Sequence, residues 1–138
     1  MYSRILIPTD GSETARRAVE VGLDQASRFG ATVHALYVID ERFVLTGYDF
    51  PLEQAERAAE EALDYVFEMG RELHVPVERH LRQGVPYRAI LDALDSYDVD
   101  LVVMGASGRT GLDRLTTVGS VTERVVRRSP CTVMAVPM

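Results

Sequence analysis

The chain has 138 residues, a length typical of one domain, and 46% hydrophobic residues, enough to bury a core and to argue against disorder. Its formal net charge of −6 argues against tight binding to a nucleic acid. We find no signal peptide and no apolar stretch long enough to span a membrane, and the single Cys131 allows no internal disulfide. We therefore expect a cytoplasmic protein with one domain over residues 1–138.

The apolar pattern alternates between short strand-like runs and helical spacing. In chain order it predicts a strand at 4–8, a helix at 13–29, a strand at 32–39, a helix at 53–73, a strand at 77–82, a helix at 87–96, a strand at 101–104, a helix at 121–128 and a strand at 132–136. All strands but the third are apolar almost throughout, as in a parallel sheet that is covered on both faces. The alternating order predicts an α/β fold, a doubly wound five-stranded parallel sheet with four helices.

In such open sheets, ligands bind beyond the carboxyl ends of the strands. Here the first strand ends in Pro8-Thr9-Asp10, the second ends near Val38, and the fourth ends in Met104-Gly105. The charge distribution points to the same region of the chain. Residues 105–138 carry five arginines against two acidic residues, whereas residues 1–104 carry 10 against 19. A small basic segment on an acidic body favours a compact anionic ligand.

Two features of the last third of the chain predict a phosphate site. Gly105 and Gly108 lack a Cβ, so their backbone can approach a ligand closely and adopt left-handed torsions. Gly119-Ser120 begins the last helix, whose free N–H groups and dipole favour an anion. The expected donors are the Ser120 hydroxyl and the backbone amides of Ser120 and Val121.

Two of these residues also have an ordinary structural interpretation. Ser120 and Glu123 have the spacing of a capping box, which satisfies a helix start without a ligand. Asp10 is placed either to accept a hydrogen bond from an adenine or ribose group, or to cap the first helix together with Ser12. Both alternatives remain open at the level of sequence.

Other chemistry is poorly supported. His34, His74 and His80 do not have the spacing of metal ligands. There is no Walker A sequence, no dinucleotide G-x-G-x-x-G after the first strand, and no complete nucleophile elbow. A slow ATPase or phosphotransfer enzyme is the least favoured function, because no general base is evident near the glycines.

Taken together, several blocks in the same order resemble the universal stress protein family over nearly the whole chain. They are residues 5–12, 34–40, 100–105, 119–125 and 129–133. The resemblance implies a Rossmann-like domain of the adenine nucleotide alpha hydrolase type. In the ATP-binding branch of the family the pattern is G-x2-G-x9-G-[ST], and this chain has one extra residue between Gly108 and Gly119. The surplus lies in a loop, where insertion is cheap, so the helix start can still face the phosphates.

The same resemblance implies a set of nucleotide-binding residues. Those around the adenosine would be Pro8, Thr9, Asp10 and Val38. Those around the ribose and phosphates would be Met104, Gly105, Gly108, Gly119, Ser120 and Val121. Independently of the resemblance, Arg109 and Arg114 lie between the second and third of these glycines, where they would add positive charge. ATP would be the cofactor, and any Mg²⁺ or Mn²⁺ would be held mainly by its phosphates, so the resemblance implies no metal cluster made by the protein.

Finally, the last strand predicts self-association. Thr132–Val136 is an apolar edge strand, which is a liability unless it is paired. The resemblance implies antiparallel pairing of this strand between two subunits. We therefore expect an ATP-binding homodimer that acts as a regulatory module in the stress response through an unidentified protein partner. A nucleotide-free dimeric scaffold is the alternative.

Overall fold

The computed structural model describes residues 1–44, 49–107 and 118–138. Its elements, in chain order, are β1 (Arg4–Pro8), α1 (Glu13–Phe29), β2 (Thr32–Asp40), α2 (Glu41–Val44), α3 (Asp49–Glu72), β3 (Val77–Gly84), α4 (Pro86–Ser96), β4 (Leu101–Gly105), α5 (Ser120–Arg128) and β5 (Thr132–Val136). The predicted order of strands and of the four main helices is confirmed. The single turn α2 is an addition that the apolar spacing did not reveal.

The helix ends follow from local chemistry. Ser12 caps α1, because its side chain accepts a hydrogen bond from the Ala15 amide. Gly30 ends the same helix with φ 64° and ψ 34°, the left-handed conformation expected of a glycine cap. The helix α3 begins at Asp49 rather than at residue 53, so it includes Pro51 in its first turn. Proline is tolerated there because the first N–H groups of a helix have no partner within it.

The five strands form one parallel sheet in the order β3-β2-β1-β4-β5. Alternate residues of the central strands pack on opposite faces. On one face Ile5 and Ile7 contribute to a core with α1 and α3, and on the other Leu6 contributes to a core with α4 and α5. The central strands are therefore buried on both sides, which is the reason for their continuous apolar sequence. Within the described ranges, no helix is long and apolar enough to cross a membrane.

Candidate functional site

The sheet opens at its carboxyl edge between β1 and β4. These two strands are neighbours, but their paired residues are only Ile5 with Leu101 and Leu6 with Val102. On either side the pairing continues further, as far as Pro8 between β1 and β2 and as far as Gly105 between β4 and β5. The strand order also reverses here, since the chain leaves β1 for β2 and later returns on the other side with β4. This is the position at which open α/β sheets bind ligands.

The first helix lies very close to this opening. A Cβ added at Gly105 would be 2.9 Å from Thr14 Cγ2 and 3.2 Å from both the Thr14 carbonyl carbon and the Ser107 carbonyl oxygen. Gly105 is therefore needed for close packing of α1 against β4. Our expectation of left-handed torsions is wrong for Gly105, because the described glycines with positive φ are Gly11, Gly30 and Gly84.

The turn after β1 is held by its own side chains. The Thr9 amide donates to the Leu36 carbonyl at 2.8 Å, which keeps the end of β1 against β2. Thr9 Oγ1 accepts from the Gly11 amide at 3.1 Å, and Asp10 Oδ1 accepts from the Ser12 amide at 2.9 Å. Ser12, not Asp10, is thus the N-cap of α1. Asp10 instead shapes the turn that leads into the cap.

The start of α5 is fixed against the end of β4. The Gly119 amide donates to the Ala106 carbonyl at 2.7 Å, and Thr122 Oγ1 donates to the Gly105 carbonyl at 2.7 Å. Gly119 is the N-cap, with φ −64° and ψ 156° and no side-chain hydrogen bond. The capping box is therefore absent, because Ser120 is already the first helical residue. Glu123 instead accepts a hydrogen bond from Arg127 at 2.6 Å.

Two buried hydroxyls beside the opening lack a partner. Within the part of the chain that the structure describes, Thr14 Oγ1 and Ser107 Oγ have no hydrogen-bond partner, although the two residues are only 1% and 4% exposed. Both residues flank Gly105. A buried hydroxyl without a partner is costly, so both groups would gain from a polar ligand or a water molecule. Neither residue is among the candidates predicted from sequence, since an orphaned hydroxyl becomes visible only after packing.

The predicted site residues that the structure describes fall into three groups by burial. Pro8, Thr9 and Met104 are buried at strand ends, and Asp10, Val38, Gly105, Gly119 and Val121 are partly buried, while Ser120 is exposed. The structure brings the ends of β1, β2 and β4 and the start of α5 to one edge of the sheet. Gly108, Arg109 and Arg114 lie outside the described residues.

A cleft lies at the same edge of the sheet but beside β3, which is separated from β1 by β2. This cleft, of about 540 Å³, lies between β3 and α4, lined by residues that include Glu41, Arg82, Arg88 and Asp92. Among the described residues, none of the predicted nucleotide-binding residues lines it. At the nearby end of β2, hydrogen bonds from Arg42 lower the pKa of Asp40, which is therefore a carboxylate at neutral pH.

Comparison with known proteins identifies one family whose model covers nearly the whole chain. The model of the universal stress protein family matches residues 1–137. The chain belongs to the universal stress protein family. Universal stress protein MJ0531 of Methanocaldococcus jannaschii is 36% identical over 99% of this chain and 82% of its own length.

Solved structures of the family share the fold. The UspA protein of Lactobacillus plantarum superimposes with a TM-score of 0.82 at 28% identity, covering 98% of this chain and 97% of that one. A universal stress protein crystallised in complex with cAMP superimposes with a TM-score of 0.72 at 25% identity, covering 99% and 97% of the two chains. The predicted α/β fold and family are thereby confirmed.

Proposed function

We propose that this universal stress protein binds ATP at the opening between β1 and β4 and acts as a nucleotide-dependent regulatory module in the stress response. The observation that carries the proposal is the start of α5. Its first amides have no side-chain cap, and Gly119 is tied to the end of β4 beside the sheet opening. A helix start of this kind binds phosphate through its N–H groups and its dipole.

The residues around the opening suit the two ends of the nucleotide. The amides of Ser120 and Val121 and the Ser120 hydroxyl would bind phosphate, together with the backbone of Gly105, Gly108 and Gly119. The adenosine would lie against Pro8, Thr9, Val38 and Met104, with Asp10 accepting from a ribose or adenine group, and Arg109 would add charge. The orphaned hydroxyl of Ser107 would gain a partner from the ligand. A divalent cation would be held mainly by the phosphates.

A relative supports the ligand class. The family member solved in complex with cAMP shows that this fold accommodates an adenine nucleotide. We expect binding without rapid turnover, so that ATP changes the surface presented to a protein partner. Such a change requires that the two conformations of the chain differ in affinity for ATP.

Calorimetric titration tests the proposal directly. Purified protein is titrated with Mg-ATP, cAMP and Mg-GTP, and the expected result is 1:1 binding of ATP with weaker binding of GTP. Ser120→Ala removes one hydrogen bond to a charged group, worth about 1.5–3 kcal/mol, and should weaken ATP binding about 10-fold or more. Ser96→Ala is the matched control, since Ser96 is exposed at the far end of α4.

Each other outcome has a definite meaning. Binding of cAMP in preference to ATP would overturn the choice of ATP but not the position of the site. Absence of heat with all three nucleotides would overturn the proposal and leave the nucleotide-free scaffold. Rapid release of phosphate from ATP that is lost in Ser120→Ala would indicate an ATPase and not a regulatory module.

The proposed active form is a homodimer formed through β5. This strand is at one edge of the sheet and pairs with β4 on its inner side only. The Val136 carbonyl accepts from the Ala106 amide at 2.8 Å, so the backbone groups of Val136 point towards β4. Since successive residues of a strand point their backbone groups to opposite sides, those of Ala135 point outwards, where a second β5 can pair with them.

A proline at that position tests the dimer. Ala135→Pro removes an outward N–H but no bond of the β4 ladder, so it should give a monomer of about 15.4 kDa by light scattering. The wild type and the control Ala135→Ser, which keeps the N–H, should have twice that mass. A monomeric wild type, or a dimeric Ala135→Pro, would contradict pairing through β5.

A further inference from the structure

Three metal-binding side chains converge on the face of the sheet that is covered by α4. His34 on β2 is in register with Glu78 on β3, and His80 lies two residues further along β3 on the same face. His34 Nδ1 is 3.0 Å from His80 Nε2 and 3.1 Å from Glu78 Oε2. One ligand atom from each of the three residues lies within 4.8 Å of the other two.

Hydrogen bonds alone satisfy the lone pairs of this cluster poorly. When both imidazoles are neutral, the lone pair of His34 Nδ1 would face the lone pairs of Glu78 Oε2 unless His34 carries its proton on Nδ1. That single proton must then serve two acceptors, His80 Nε2 and Glu78 Oε2. A divalent cation in its place would accept electron pairs from all three atoms.

The distances suit a small tetrahedral cation. Zn²⁺ binds imidazole nitrogen and carboxylate oxygen at about 2.0–2.1 Å, so neighbouring ligand atoms of a tetrahedron are about 3.3–3.4 Å apart. His34 Nδ1 is 3.0 and 3.1 Å from the other two ligand atoms, which is shorter than this by about 0.3 Å, and the His80 and Glu78 ligand atoms lie within 4.8 Å of each other. Small rotations of the side chains would therefore complete the site.

From this geometry we propose that His34, Glu78 and His80 form a zinc site, in which water is the fourth ligand. The site is independent of ATP binding. It lies near the amino-terminal half of β2 and β3, away from the carboxyl edge where the nucleotide is proposed to bind.

The surroundings hold the two imidazole rings in place. Tyr97 is stacked on both, with ring centroids 5.0 Å from His34 and 4.0 Å from His80. Burial lowers the pKa of both histidines, which favours the neutral form that binds metal. Glu78 has a side chain that is 61% exposed, so a hydrated ion can reach the cluster from solvent.

Two arginines oppose cation binding. Arg4 and Arg82 act electrostatically on His34 and His80, respectively. Arg4 is paired with Asp98 at 2.8 Å, and Arg82 donates to the Tyr97 hydroxyl at 3.1 Å. We therefore expect weaker binding than at a closed structural zinc site with four protein ligands.

The consequence of binding would be structural. The strand β3 forms an edge of the sheet, and its residues are exposed or only partly buried. A metal shared by His34 on one side and by Glu78 and His80 on the other would cross-link β3 to β2. Binding to the folded state alone also raises the melting temperature.

Titration of nucleotide-free protein without an affinity tag, freed of metal with EDTA, tests the site. Calorimetry with ZnCl₂ should show one ion per chain, and CoCl₂ should give the intense visible absorption of a tetrahedral complex. His80→Asn and Glu78→Gln each remove one ligand and should weaken zinc binding at least about 10-fold, equivalent to about 1.4 kcal/mol. Both residues are in contact with solvent, so these variants should fold.

His74→Asn is the matched control, because His74 is an exposed histidine outside the cluster with φ 59°, a conformation that asparagine tolerates. It should bind zinc as the wild type does and show the same rise in melting temperature with zinc. The proposal is overturned if the wild type binds no zinc, if His80→Asn binds as tightly as His74→Asn, or if cobalt gives only the weak spectrum of an octahedral complex. None of these results decides the nucleotide titrations, which test the proposed function separately.

Discussion

A carboxylate introduced at the start of α5 should raise the stability of the fold and lower the proposed affinity for ATP. Gly119 is the N-cap, and its φ of −64° and ψ of 156° suit any residue. In Gly119→Asp, the new side chain can accept from the amides of Val121 and Thr122, the second and third helical residues. Better capping and a favourable interaction with the helix dipole should add about 0.5–1 kcal/mol of stability.

The same change should remove the phosphate site. A carboxylate about 5 Å from a phosphate charge repels it by about 0.8 kcal/mol in water and by about 3 kcal/mol at an effective dielectric constant of 20. Each amide lost to the new cap forfeits a hydrogen bond to a charged group, about 1.5–3 kcal/mol. Even the lower bounds together exceed about 2 kcal/mol, so Kd for ATP should rise at least about 30-fold.

Calorimetry with Mg-ATP and thermal unfolding measure both effects on one preparation. Gly119→Asn is the matched control, because it caps the same amides without adding charge. We expect Asp to weaken ATP binding more than Asn, and both variants to melt no lower than the wild type. A stable Gly119→Asp protein that binds Mg-ATP with wild-type affinity would refute the placement of phosphate at this helix start.

Two further predictions concern the fold itself. Gly105→Ala should lower the free energy of unfolding by about 1–3 kcal/mol in urea denaturation. The reason is that the new Cβ would lie within 3.2 Å of backbone atoms of Thr14 and Ser107. An unchanged urea midpoint would contradict that close approach. Arg42 lowers the pKa of Asp40 below its ordinary 3.8. This stabilising contribution is complete above about pH 5 and is lost as the pH falls past 3.8 and through the folded-state pKa. Asp40→Asn should therefore be destabilised less by acid than the wild type when midpoints at pH 6 and pH 3 are compared; equal losses would contradict the Arg42 interaction.

Much of the fold could be predicted because its causes are local. Continuous apolar runs indicated buried strands, and helical spacing located α1 with both of its ends, including the Gly30 cap. The bounds of β1 and β5 were also correct. Errors occurred where a local rule was incomplete: α3 begins before Pro51, because proline costs little in a first turn, and α2 is too short to show periodicity.

The candidate site was predicted less completely. The sequence pointed to the strand ends and to Gly119-Ser120, and the uncapped start of α5 agrees with that choice. It did not determine why Gly105 must be glycine, which depends on the approach of Thr14 from another element. It also left the capping box open, because two residues with suitable spacing do not by themselves fix which of them begins the helix.

The sequence by itself therefore determined the five strands, the four main helices, their order and the family, since these depend on residue type and short-range spacing. Only the tertiary structure decided which distant residues meet. His34 and Glu78 are 44 positions apart in the chain, yet they are paired in the register of β2 and β3. Spacing along the chain gave no indication of a metal cluster, whereas pairing of parallel strands brought three potential metal ligands together. The physical reason is that strand register is set by burial of the whole sheet and not by any local run of residues.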